Sequence, residues 1–69
     1  MEKTMHITGM MCGHCSGRVK RVLEAMPEVK EAVVSFEAGT AIVKMTEELP
    51  DELLKEVVEA EGYPVVSIE

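Results

Sequence analysis

The chain has 69 residues, a formal net charge of −6, and 46% apolar side chains that include one Tyr, one Phe and no Trp. A chain of this length makes one domain, residues 1–69, and buries only about 60% of its unfolded surface, so its core must be small. The acidic balance argues against nucleic acid, which needs a cationic face, and no apolar run approaches the ~18 residues that span a bilayer.

In chain order, "KTMHIT" (3–8) alternates with Met5 and Ile7 on one side, which predicts a strand. From Cys15, "CSGRVKRVLEAM" sets Val19, Val22, Leu23 and Met26 on one stripe of an amphipathic helix that Pro27 ends. "VKEAVVSF" (29–36) and "TAIVKM" (40–45) read as two strands of a hairpin, with Gly39 free to take positive φ in the turn between them. Pro50 opens a second helix, Asp51 and Glu52 favour its positive end, and Leu53, Leu54, Val57 and Val58 form its apolar face. Gly62 suits that helix's C-terminal end. The last strand is "YPVVSI" (63–68), and Pro64 marks it as an edge strand or a strand's first residue.

The order βαββαβ predicts an α+β, ferredoxin-like fold. Right-handed crossovers put both helices on one face of a four-stranded antiparallel sheet. The other sheet face stays open to water.

Cys12 and Cys15 are the only cysteines, and they lie in the loop from the first strand into the first helix. Three residues apart at a helix start, their sulfurs can converge on one point. The helix dipole and free amides there favour thiolate. The start, "MEKTMHITG", lacks the long apolar core of a secretory signal. Read as the complete translated chain, the protein is expected in the cytoplasm, where thiols stay reduced.

Three uses of the pair compete. A structural zinc site wants four ligands, and the whole chain offers two cysteines and two histidines without a matching spacing. A dithiol oxidoreductase also carries C-x-x-C at a helix N-terminus, usually in a longer chain with room for a substrate groove. A soft monovalent ion is the third: thiolates select Cu(I), which is content with two or three ligands.

"GMMCGHC" (9–15) matches the GMxCxxC signature of heavy-metal-associated domains. That family includes copper chaperones, the amino-terminal domains of copper-transporting P-type ATPases, and the mercury-binding protein MerP. The likeness covers the whole chain through "EGYPV" (61–65), where the family commonly has Gly-Tyr or Gly-Phe. A single domain with His14 between its cysteines most resembles the bacterial copper chaperones of the CopZ type.

The resemblance implies Cu(I) held by Cys12 and Cys15 and passed by ligand exchange to the metal-binding domain of a copper-transporting P-type ATPase. It implies a carrier and not an enzyme, with Hg(II), Ag(I) and, weakly, Zn(II) as other metals. The alternatives are the N-terminal domain of such an ATPase, a mercury carrier and a small dithiol redox protein. Met1 and the end at Glu69 favour the free chaperone. A monomer is expected, and a dimer bridged by shared metal is the other stoichiometry.

Further residues carry over from the family. Met10 is expected to anchor the loop in the core, with thioether ligation as the alternative. Tyr63 would shield the site from beside it. His14 is expected to be exposed, with third ligand or proton acceptor as its other roles. Met11 would be exposed near the metal, available to a partner. His6 is expected to be an outward strand residue, and Met1, Met5, Met26 and Met45 to be core or terminal. Leu49 departs from the pattern by standing where Ser, Thr or Asp would cap the second helix.

Charge is uneven along the chain: residues 1–28 hold four bases and three acids, whereas 29–69 hold three bases and ten acids. With Val19 and Val22 turned to the core, Arg18, Lys20 and Arg21 are expected to face solvent beside the metal loop and steer an acidic partner onto it.

Overall fold

A computed structural model describes residues 1–69. Six elements follow in the order β1 (Glu2–Ile7), α1 (Gly13–Glu24), β2 (Val29–Ser35), β3 (Thr40–Met45), α2 (Asp51–Glu59) and β4 (Val65–Ile68). The strands form one sheet in the order β2-β3-β1-β4, and every neighbouring pair is antiparallel. This is the ferredoxin-like arrangement. No helix is long and apolar enough to cross a membrane.

The period-two pattern decides which sheet face is covered. Met5 and Ile7 of β1, and Ala41, Val43 and Met45 of β3, are all buried beneath the helices. Their alternates Thr4, His6, Thr40, Ile42 and Lys44 are half-buried on the other face. From the helices, Val19, Leu23, Leu54 and Val58 close the core at zero exposure. Each pair is spaced i, i+4, which puts it on the line facing the sheet. Val22 and Val57 are only half-buried, and Leu53 is 40% exposed. Each lies about 100° round from a residue at the centre of contact, so it reaches the rim of the packed face and not its middle.

Several boundaries differ from those expected by one or two residues, and three of the shifts have a plain physical reason. Helix α1 starts at Gly13, two residues before Cys15, because Cys12 itself is the N-cap, with extended backbone. Helix α2 starts at Asp51, with Pro50 as the N-cap at φ −63° and ψ 145°. Leu49 is therefore not a failed cap. It occupies the position before the N-cap and is buried, as is Leu54 four residues into the helix. Those two positions are the pair of a hydrophobic staple, which fixes the angle at which the chain enters the helix. Finally, β4 begins at Val65, so Tyr63 and Pro64 belong to the connection before it. Pro64 has no N–H for a ladder, and the strand that follows it lies at the sheet's rim.

One end of the sheet holds everything near the thiols. There the loop after β1, the turn between β2 and β3, and the segment after α2 meet. Ile7 donates its N–H to the Gly39 carbonyl at 2.8 Å, and Thr8 donates to that of Pro64 at 2.9 Å. Gly39 sits at φ +68°, and a Cβ there would lie 3.1 Å from the Ile7 oxygen. Only glycine meets both demands. At the opposite end, Lys3 ties β1 to α2 by donating to the Leu49 carbonyl at 2.8 Å and pairing with Asp51.

Candidate metal centre

Residues 8–12 lead from a core strand to a solvent-facing helix start. Gly9 takes φ +86°, beyond the comfortable range of residues with a Cβ, and reverses the chain against Tyr63 and Pro64. Met10 then drops into the core at 7% exposure, while Met11 points out at 82%. The buried thioether pins the loop from below, so its other side chains face solvent.

Cys12 caps α1 with its carbonyl, which accepts the N–H of Cys15 at 3.1 Å and of Ser16 at 3.3 Å. Its side chain makes no capping bond and the thiol is exposed. Cys15 lies in the first turn, half-buried, and both cysteines are free. The fold thus brings the two thiols together at the positive end of a helix dipole.

The surroundings of Cys15 favour its thiolate and hold its pKa below the ordinary cysteine value. The largest cause is the Tyr63 hydroxyl, which donates toward the sulfur; the backbone amides of Met11 and Cys12 and the Cys12 thiol act the same way, against partial burial. The same contact raises the Tyr63 pKa, because a phenolate beside a thiolate is disfavoured, although the Arg18 guanidinium opposes the rise. Tyr63 is buried at 9% exposure and so roofs the inner side of the loop.

The two histidines do not join the thiols in a closed site. His14 is exposed in the first turn of α1. His6 sits on the far face of the sheet, paired with Glu69. No three His, Cys, Asp or Glu side chains gather anywhere in the chain, so the fold does not assemble a four-donor zinc site.

The basic edge is smaller than the spacing suggests. Arg18 and Arg21 are exposed and form no salt bridge. Lys20 turns away from the loop, pairs with Glu24 at 2.8 Å and donates to the Ala32 carbonyl at 2.9 Å. Helical spacing shows the i,i+4 pair with Glu24 but not the reach to Ala32, which lies on another element. The Arg18–Tyr63 approach is equally silent in the sequence, 45 positions apart along it.

Fold and loop together define a ferredoxin-like α+β sandwich that presents a two-thiol loop to solvent at one end. Residues 4–64 match the family described as the heavy-metal-associated domain, and the chain belongs to that family. It is 30% identical over 66 residues to the copper chaperone CopZ of Staphylococcus aureus, covering 94% of this chain and 97% of that protein. Over 59 residues it is 44% identical to a mercuric reductase of Acidithiobacillus ferrooxidans, covering 86% of this chain and 11% of that protein. The solved structure of a CopZ metallochaperone superposes with a TM-score of 0.89 at 30% identity, covering 96% of this chain and 100% of that one. The first curated relatives, mercuric reductases and copper-transporting P-type ATPases, are far longer, and the chain spans only 8–11% of them.

Proposed function

We propose that residues 1–69 act as one unit that carries Cu(I), held between the Cys12 and Cys15 sulfurs, and hands it to the metal-binding domain of a copper-transporting P-type ATPase. The observation that carries this reading is the pair itself. Two soft donors meet at a helix N-terminus, one exposed and one half-buried, with no His, Asp or Glu gathered with them into a larger donor set. Polarizable thiolates select a soft d¹⁰ ion, and two ligands satisfy Cu(I) where they would leave Zn(II) short.

The same geometry supports transfer. An exposed Cys12 can release the ion while Cys15 still holds it. An incoming thiolate then forms its bond to Cu(I) as the Cys12 bond breaks, and no covalent bond of the protein changes. The chain is a carrier in this scheme and not a catalyst. Ag(I) shares the required softness and Zn(II) binds weakly. Kinship with CopZ supports a free chaperone, whereas kinship with long ATPases equally suits a domain of such a protein.

The 44% identity to a mercuric reductase favours a second reading, in which the same thiolates carry Hg(II). One experiment tests both. Reduced protein is titrated with Cu(I) against a chromogenic chelator, then with Hg(II), and both titrations are repeated on Cys12→Ser, Cys15→Ser and the double variant. One tightly bound Cu(I) per chain, lost in the double variant, is the expected result. Tight Cu(I) binding retained by the double variant would refute the site.

A further inference from the structure

Strand β2 lies at the rim of the sheet, so one row of its backbone groups has no neighbouring strand. Open rows of this kind are templates for pairing with another chain. The opposite rim strand, β4, is protected by familiar means: it has four residues, follows a proline, and shifts register between His6 and Ile7 of its partner. β2 has seven residues and no proline, and its own register shift lies near its start, between Val29 and Glu31.

Something else guards it. The Ala32 N–H donates to Glu24 Oε2 at 3.0 Å, and the Ala32 carbonyl accepts from Lys20 Nζ at 2.9 Å. These two side chains, one helical turn apart on α1, also pair with each other at 2.8 Å. Lys20 and Glu24 therefore offer β2 one donor and one acceptor, which is what an adjacent strand would supply at that residue. Alanine is the smallest side chain of β2, which lets the helix come this close.

We propose that the rim of β2 is a strand-pairing surface for a second copy of this chain, held shut by the Lys20–Glu24 clamp. The strand is compatible with its own copy. A two-fold axis at Ala32 sets Ala32 against Ala32, Glu31 against Val33 and Lys30 against Val34, so no like charges stand directly opposite and the two Glu31 side chains meet only on the diagonal. The clamp keeps the apoprotein monomeric without lengthening the chain or adding a bulge at the centre of the strand. This association is separate from any dimer bridged by metal, because it forms at the sheet rim and needs no thiol.

The test is the metal-free, reduced Lys20→Ala/Glu24→Ala variant, studied by sedimentation equilibrium and amide hydrogen exchange, with far-UV circular dichroism to confirm folding. At dilution the Ala32 amide should exchange roughly tenfold faster than in the parent, the effect of losing one charge-assisted hydrogen bond. At higher concentration the variant should dimerise while the parent stays monomeric. Lys20→Ala alone, a milder change that opens only the carbonyl, should dimerise more weakly. A folded double variant that stays monomeric at millimolar concentration, or whose Ala32 amide exchanges as slowly as the parent's, overturns the proposal. If the double variant does not fold, a monomeric Lys20→Ala overturns it.

Discussion

Met10 gives the sharpest test of how the loop is held. At 7% exposure its side chain belongs to the core, and Met10→Ala removes three heavy atoms beyond Cβ. Transfer of that much apolar material is worth about 2.4 kcal/mol at ~0.8 kcal/mol for each carbon-sized group. Incomplete collapse of the cavity brings the expected loss into the range of about 2–5 kcal/mol. A domain of 69 residues has roughly 3–10 kcal/mol in total, so the variant should be marginal. Its Tm should fall by roughly 10–20 °C from the transfer loss alone, at about 4–8 °C per kcal/mol for a domain of this size, and by more where the cavity stays open. Urea denaturation is the assay: the midpoint should drop with little change in slope. Met10→Leu keeps the volume and should cost under about 1.5 kcal/mol, with Cu(I) affinity unchanged. If Met10→Ala unfolds within about 0.5 kcal/mol of the parent, as surface changes do, the plug is wrong. If Met10→Leu loses Cu(I) affinity while folding normally, the thioether is a ligand and not an anchor.

Other outcomes follow from the site and its surroundings. Tyr63→Phe removes the largest influence holding the Cys15 pKa down, so thiolate absorbance near 240 nm in a Cys12→Ser background should titrate at higher pH than with Tyr63 present; an unshifted curve would show that the hydroxyl is idle. Because folding lowers that pKa, the linked stability is present above the unfolded thiol's pKa and is lost as pH falls through the folded one. Tyr63→Phe should flatten this dependence in pH-resolved urea melts. Arg18→Glu/Arg21→Glu should slow Cu(I) transfer to an acidic partner domain at low salt and leave Cu(I) affinity unchanged, since exposed charges act chiefly on encounter and are screened beyond about 8 Å at physiological ionic strength; equal transfer rates would make the two arginines bystanders. Gly39→Ala forces a Cβ into positive φ and against the Ile7 oxygen, and should cost about 1–2 kcal/mol in the same melts, whereas a neutral result would mean the turn relaxes freely.

Periodic features were legible from the residues alone, and features that depend on distant partners were not. Val19 with Leu23 and Leu54 with Val58 lie at the centre of their helical stripes, and both pairs are fully buried. Residues at the margin of a stripe, such as Leu53, are decided by where the neighbouring element stops, which no local pattern records. Leu49 looked like an absent cap because capping is read from polar side chains, whereas its role is apolar and completed by Leu54. Lys20 is exposed, as its place on the helix predicts, but helical spacing gives direction and not reach, and its stem is long enough to bend onto β2. The thiol loop was legible in its glycines and its two cysteines, which build it locally. The contribution of Tyr63 came only through family likeness, since the contact depends on α2 returning the chain to the end of the sheet where β1 finishes.

The antiparallel sheet also settles where a tether can be attached. Glu69 exchanges backbone hydrogen bonds with Thr4 at 2.8 and 3.0 Å, and Met45 donates to the Met1 carbonyl at 2.8 Å. Residues 1 and 69 therefore both leave the molecule away from the loop of Cys12 and Cys15, in a body 30 Å long and under 20 Å wide. A linker joined at either end would trail behind the thiols, leaving them to lead into a partner. Beads of this design can be strung in series or fixed to a larger machine without any bead covering its own working tip.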